Sequence, residues 1–496
     1  MAIPTPSPRA EGRNGAVKAA SRGRAVPPRP PAAVDGPSSW ERFHALPAVR
    51  RRLIEFVGGP PLASATARFL APPVPKIAAP LRCWPSTELW AVLAGDRELA
   101  RSLWDGAALV VDLDLEHVHF DRPWQPLAEP ARSLAVQRPV VAALTGQLDE
   151  AQVPYLHLLS GRGHHLLWRV ARGSRSFAAL ARLGGPLSAE LRRAYTARQR
   201  PAGERVGRRL GAAWNGLGKL AEWLAQRALD RATAATPIPV ELTAVIVGPG
   251  ERGREIVSID LSAFADPLHR RSVRMPFTAY RKALGGEAPR SDPLMTVPVA
   301  GDETGAVGAM REFGSAAALA RRTRCAIPDG SEGTARLIAA YERSELATFH
   351  RAFAAEQPHG PERWSETYDR LALDELPACV AHILEEPNEL LLRPAAIQLV
   401  VRALLARGWQ ARHVAGLIRS KYERPHGWLV DFHFHDAGLR AEFYTRMFAG
   451  LLATGCDRLI DFNCTSTQEK GLCPGGGCRW NLERLRDALA REEHYG

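Results

Sequence analysis

Hydrophobic and polar positions change period several times along the 496-residue chain. From Ser38 to Gly59, "SSWERFHALPAVRRRLIEFVGG", apolar residues recur every three or four positions behind a serine, predicting one capped amphipathic helix. "ELWAVLAGDRELARSLWDG" (88–106) predicts another helix. Residues 107–120, "AALVVDLDLEHVHF", break the rhythm: they are β-branched and apolar, and alternate from Val111. This is a strand with a buried start. A helix follows over "PARSLAVQRPVVAALTGQLDEA" (130–151), and then "VPYLHLLSG" and "HHLLWRV" form a hairpin pair around a Gly-Arg-Gly turn. Residues 174–235 read as helical and strongly basic, and "REIVSIDLS" (254–262) returns to strand. Residues 286–330, rich in Gly, Asp and Pro, read as a linker, and the chain beyond about 335 is mostly helical. No internal repeat is apparent.

Residues 1–39 hold eight prolines, six basic residues and two acids with almost no large apolar side chain. Such a segment buries too little surface to offset its ordering entropy, so a disordered basic tail is expected, with order beginning near Trp40. The remaining length is enough for two or three domains. No apolar run approaches the roughly 20 residues of a membrane span, so no membrane role is expected. The N-terminus has no apolar core of the secretory kind, and a cytoplasmic address is expected. The net charge of +12 favours a polyanionic partner, because Lys and Arg displace counterions from nucleic-acid phosphates. A generally Arg-rich composition is the plainer reading.

Asp112 and Asp114 stand two apart in the predicted strand, so both carboxylates leave the same face. A divalent cation between them removes their repulsion, and hard oxygen ligands at this spacing suit Mg²⁺ or Mn²⁺. Exposed acids on a solvated edge strand are the alternative. Asp260, ending "EIVSID", is the best candidate for a third carboxylate, with Asp266 as the fallback. In "SGRGHH", Gly161 and Gly163 let the backbone approach an anion, while Arg162 and Ser160 can hold its oxygens. Residues 163 and 165 share one hairpin face, so His165 rather than His164 faces the cleft. Arg271, Arg274 and Lys282, around the bend at Pro276, can neutralise phosphates.

Together these segments resemble the archaeo-eukaryotic primase superfamily, specifically its small catalytic subunit. Asp112-Leu113-Asp114 matches the family's Asp-x-Asp motif, and Ser160 through His165 matches its Ser-Gly-Arg-Gly-x-His motif. Asp260 stands for its third acid. Arg271-Ser272-Val273-Arg274-Met275-Pro276-Phe277-Thr278 matches Arg-x-x-Arg-x-Pro-x-Ser with Thr for Ser, and Lys282 falls where a later family lysine sits. The likeness covers about residues 100–285. It implies that Asp112, Asp114 and Asp260 bind catalytic metals, and that Ser160, Arg162, His165 and Lys282 hold a nucleoside triphosphate. The spacing from Asp260 to Pro276 is slightly longer than the family's, which keeps Asp266 in play. The four-cysteine zinc knuckle often found in that subunit has no counterpart in this stretch.

Seven cysteines are unevenly spread, four of them from Cys456 onward, which points away from a disulfide framework and toward a metal centre or buried thiols. Cys464, Cys473 and Cys478 follow C-x₈-C-x₄-C spacing in a Gly-rich setting, one ligand short of a four-coordinate site. The segment from "LPACVAHIL" to "GLIRSKY" resembles the start of the C-terminal domain of the primase large subunit. That resemblance implies Cys379 as first ligand of a 4Fe–4S cluster completed by Cys464, Cys473 and Cys478. Cys456 is an alternate ligand, and Zn²⁺ is an alternative metal.

The implied fold class is α+β: a mixed catalytic domain around an RRM-like sheet (40–290), a linker with helices (291–365) and a mostly α-helical iron–sulfur domain (366–490). The implied function is a DNA primase or primase-polymerase making primers on a single-stranded DNA template from nucleoside triphosphates, with a replication helicase as a candidate partner. A gap-filling or repair polymerase of a plasmid, phage or defence system is the second reading. A non-catalytic nucleic-acid-binding module is the third.

Overall fold

The alternation in 107–120 is realised as a strand, Ala108–His119, whose first four residues are buried and whose remainder alternates. In this computed structural model the described residues are 38–72, 82–93, 97–243, 255–281, 293–385, 389–424, 435–476 and 478–492. The basic tail and Lys282 lie outside them. The strands among the described residues are β1 (Leu70–Ala71), β2 (Ala100–Ser102), β3 (Ala108–His119), β4 (Leu156–Leu159), β5 (Gly163–Ala171), β6 (Val240–Leu242), β7 (Glu255–Asp260), β8 (Ser272–Arg274) and β9 (Val297–Pro298). Six of them form one sheet in the order β6-β7-β3-β5-β4-β9, antiparallel except between β6 and β7. β1, β2 and β8 make a small antiparallel sheet.

The helices before β9 are α1 (Ser39–Ala45), α2 (Pro47–Phe56), α3 (Leu89–Val92), α4 (Gln125–Ala128), α5 (Pro130–Glu150), α6 (Arg175–Gly184), α7 (Ala189–Thr196) and α8 (Arg208–Thr233). After it come α9 (Glu303–Arg311), α10 (Phe313–Arg322), α11 (Ser331–Glu342), α12 (Glu345–Ala355), α13 (Ala378–Leu384), α14 (Pro394–Leu405), α15 (Ala411–Tyr422), α16 (Ala437–Ala453), α17 (Cys464–Glu469) and α18 (Leu482–Glu492). The chain is therefore mixed α+β, and from Ser38 onward it forms one compact unit. Among the described residues no helix is long and apolar enough to cross a membrane.

Three local expectations are revised. The first amphipathic stretch is two helices, because Pro47 begins a new helix and leaves Leu46 extended. Within 88–106 only Leu89–Val92 is α-helical, and Ala100–Ser102 pairs between β1 and β8 instead. Buried Arg101 fixes that strand by donating to the Phe56 carbonyl at 2.9 Å and to Asp105 at 2.7 Å, so tertiary pairing overrides helical pattern. The stretch read as a linker carries α9, α10 and β9, and β9 extends the main sheet beside β4.

One face of β3 packs against helix. His117, pointing opposite to the acids, has Nδ1 3.1 Å from Ser133 Oγ on α5 and Nε2 3.0 Å from Glu255 on β7. α6 and α8 cross almost backbone to backbone, since a Cβ on Gly184 would fall 1.8 Å from the Ala212 oxygen and one on Gly216 2.0 Å from that of Leu180. The C-terminal helices bind this scaffold through a buried charge cluster. Glu222 of α8, fully buried, pairs with Arg446 of α16, while His350 of α12 lies 3.0 Å away. Trp168 of β5 donates to Thr334 of α11 at 3.1 Å.

Burial opposes the charge on Glu222, but Arg446 and then His350 hold its carboxyl down to about 2. Glu222→Gln is expected to destabilise the fold by ~3–5 kcal/mol in urea titrations at neutral pH, because it strands the Arg446 charge. A depressed carboxyl contributes fully above its unfolded value near ~4.3 and loses that contribution as pH falls toward about 2. The gap between wild type and variant should therefore narrow on acidification. A loss below 1 kcal/mol, or a gap that widens in acid, contradicts this assignment.

Candidate nucleotidyl-transfer site

Alternation along β3 puts Asp112, Asp114 and Glu116 on one face, with Leu113, Leu115 and His117 on the other. The two neighbouring strands complete the face. Asp114 stands directly opposite His165 of β5 on one side and directly opposite Asp260 of β7 on the other. Directly opposed residues in an antiparallel pair share a face, so three strands bring two acids and an imidazole together. The convergence expected of Asp112, Asp114 and Asp260 with His165 is therefore present.

His165 sits between the two β3 aspartates, with Nδ1 3.1 Å from Asp112 Oδ1 and 3.7 Å from Asp114 Oδ1. Burial works against its charge, yet Asp114 and Asp112 raise the imidazole to about 9, so it is a cation at neutral pH. Asp114 moves the other way. Burial, followed by Glu116, Asp112 and Asp260, lifts its carboxyl well above the usual carboxylate range, with His165 pulling it back. Burial also raises Asp260, opposed by Ser262, which donates to it through its backbone N–H at 2.8 Å and its hydroxyl at 3.1 Å. Asp114 Oδ1 and His165 Nε2 are buried without a hydrogen-bond partner.

Crowded carboxylates with a buried oxygen lacking a hydrogen bond are the donor chemistry a hard divalent cation satisfies. Asp112, Asp114 and Asp260 thus fit Mg²⁺ or Mn²⁺ as ligands. Among the described residues, no three His, Cys, Asp or Glu side chains already close on one point.

The Gly-Arg-Gly turn joins β4 to β5 beside this face. Ser160 closes it, its N–H donating to the Gly163 carbonyl at 2.8 Å and its hydroxyl donating to the same oxygen at 3.3 Å. Gly163 is required sterically, since a Cβ there would lie 1.7 Å from the Leu115 oxygen. Gly161 lies against the Tyr280 ring, 2.5 Å from where a Cβ would sit. Arg162, buried, pairs with Glu116 of β3. His164 points to the opposite face from His165 and meets His157 at 2.9 Å. Burial lowers His164 to about 3 and His157 to about 4, so this pair is neutral.

The later basic segment divides. Arg274 lies over the Tyr280 ring at 4.9 Å and bonds Glu98 through Nε at 2.6 Å. Arg271 instead pairs with Asp266 and donates to the Ser262 carbonyl at 2.6 Å. Asp266 also meets His435 Nδ1 at 2.7 Å. Arg271, His435 and Arg440 overcome its burial and hold it far below the ordinary carboxylate range. Of the two candidates for third carboxylate, Asp260 shares the face of Asp114, and Asp266 belongs to a separate ion-pair cluster. Lys282 lies outside the described residues.

The cysteines gather in part. Buried Cys379, at the start of α13, has its thiol raised to about 12 by burial and then by Cys473 and Cys478, which places these three thiols in one neighbourhood. Cys464 is exposed in the first turn of α17. Cys456 has other neighbours, bonding Thr454 and feeling Asp230 and Glu345. Soft thiolates around a buried position fit an iron–sulfur cluster or zinc, with three of the four expected ligands in one neighbourhood.

Glu116, Glu98 and Tyr280 were not anticipated from sequence. Glu116 is the next same-face position after Asp114, so strand period alone contains the signal. Glu98 and Tyr280 reach the site only through pairings between distant segments. No protein-family model, curated protein or solved structure matches this chain.

Proposed function

We propose that this chain is a DNA primase or primase-polymerase that joins nucleotides on a single-stranded DNA template. The reading rests above all on Asp114 being flanked in register by Asp260 and by His165. The arrangement fits the primase-like catalytic sheet that the motifs imply, and Cys379, Cys473 and Cys478 fit the cluster-bearing domain implied for the C-terminal helices. Bound Mg²⁺ or Mn²⁺ would polarise the α-phosphate and lower the barrier to attack by a 3′-oxygen. Asp112, Asp114 and Asp260 supply the ligand oxygens. Arg162 offers a planar fork to the triphosphate oxygens once it releases Glu116, and protonated His165 donates a further hydrogen bond. Arg274 adds positive charge at the same face.

Template-dependent synthesis on unprimed single-stranded DNA, assayed with each nucleotide set and with Mg²⁺ against Mn²⁺, tests the reading. Asp114→Asn is expected to lower incorporation about a hundredfold or more, ~3 kcal/mol of barrier, while template binding is retained. Unchanged incorporation removes catalysis from this face and favours a binding module. Synthesis only from a primed gap favours the repair-polymerase reading.

The cluster is tested separately. Protein purified anaerobically is expected to be brown, with iron and acid-labile sulfide that Cys379→Ala removes. A colourless protein carrying stoichiometric zinc overturns the iron–sulfur assignment.

A further inference from the structure

A cleft of about 860 Å³ opens where α8 meets α15 and α16, and none of the carboxylate-face residues lines it. Its walls combine apolar Phe264 and Leu439 with the cations Lys219, Arg412, Arg419 and Arg446. Glu442 is the one carboxylate among the lining residues. Three of the cations already have acidic partners: Arg446 pairs with Glu222, Arg419 with Glu423 at 2.6 Å, and Arg412 with Glu442 at 2.9 Å.

Lys219 differs. Its Nζ donates to the Leu183 carbonyl at 2.9 Å, and among the described residues it forms no ion pair. Burial and then Arg446 lower this amine to about 8, with Glu442 and Glu222 opposing and Arg412 adding to the decrease. Two more polar atoms on lining residues, Arg412 Nε and Asn215 Oδ1, are buried without a hydrogen-bond partner. A cleft therefore holds an ammonium with donors to spare, an unmatched guanidinium N–H, an unmatched carboxamide oxygen and an aromatic wall.

We infer that this cleft binds a nucleoside phosphate at a site separate from the carboxylate face. Lys219 and Arg412 donate to phosphate oxygens, since an anion with several acceptors suits an ammonium and a guanidinium N–H together. Asn215 Oδ1 accepts from a sugar hydroxyl or a base amino group, and Phe264 packs against the base. Pockets for ligands of this size are typically ~300–1,000 Å³. Occupancy bears on the other site through a short path. Phe264 belongs to the 3₁₀ turn Ser262–Ala265, whose first residue caps the Asp260 carboxylate. This inference does not depend on the polymerase reading.

The test uses the full chain in EDTA with AMP and adenosine as probes. Lys219 is acylated with an activated ester at pH 8, and modification is mapped by peptide mass spectrometry. AMP at millimolar concentration is expected to protect Lys219 at least fivefold, and adenosine to protect it little. In direct titration, Lys219→Gln and the cleft-filling Leu439→Trp should each weaken AMP binding tenfold or more. Arg162→Ala and Asp114→Asn should leave AMP binding unchanged. Absence of Lys219 protection overturns the inference, as does protection by adenosine equal to that by AMP. Binding that Arg162→Ala abolishes but Leu439→Trp spares assigns the nucleotide to the carboxylate face and also overturns it.

Discussion

The strand repeat of β3 forces Asp112, Asp114 and Glu116 onto one face, and β7 adds Asp260 to it. Unit charges about 5 Å apart repel by roughly 3 kcal/mol at an effective dielectric near 20. Such a face is tenable only when countercharges are interleaved with it. His165 is set between two of the carboxylates, Arg162 takes Glu116, and Arg274 stands nearby with its own partner Glu98. The fold thus keeps cations at the place where an anionic ligand and its metal would redistribute them. Exchange of partners, more than movement of the sheet, is what this arrangement makes available.

Rigid backing holds that balance in place. The other face of β3 meets α5, where His117 links Ser133 to Glu255, and Arg132 of α5 also reaches Glu255. α8 lies in near-backbone contact with α6 and receives the C-terminal helices through Glu222 and Arg446. The charged groups at this junction are buried, so they act by specifying one docking of α16 more than by adding net stability.

A chain of short links joins the carboxylate face to the C-terminal helices. Asp260 ends β7, Ser262 caps it, Phe264 turns toward the cleft lined by α8, α15 and α16, and Asp266 binds His435. Seven residues therefore run from a candidate metal ligand to a contact with the second half of the molecule. Arg271, reaching both the Ser262 carbonyl and Asp266, braces the middle of this run.

Local pattern determined much of this protein. Period-two alternation defined β3 and its acidic face, and the glycine-bounded turn placed His165 and His164 on opposite sides, because side-chain direction in a strand is fixed by the backbone repeat. Partner choice lay beyond that reach. Whether Asp260 or Asp266 joins Asp114 depends on strand register, and both acids follow the same apolar run. Arg101 reads as helical until β1 and β8 claim its strand. Arg271 and Arg274 are three residues apart in sequence, yet one meets Asp266 and the other Glu98, since each charge pairs with whatever the packed chain brings to it. Sequence set the faces and spacing of the chemistry, and tertiary structure decided which charges meet, because pairing energy depends on distance and burial that no local pattern encodes.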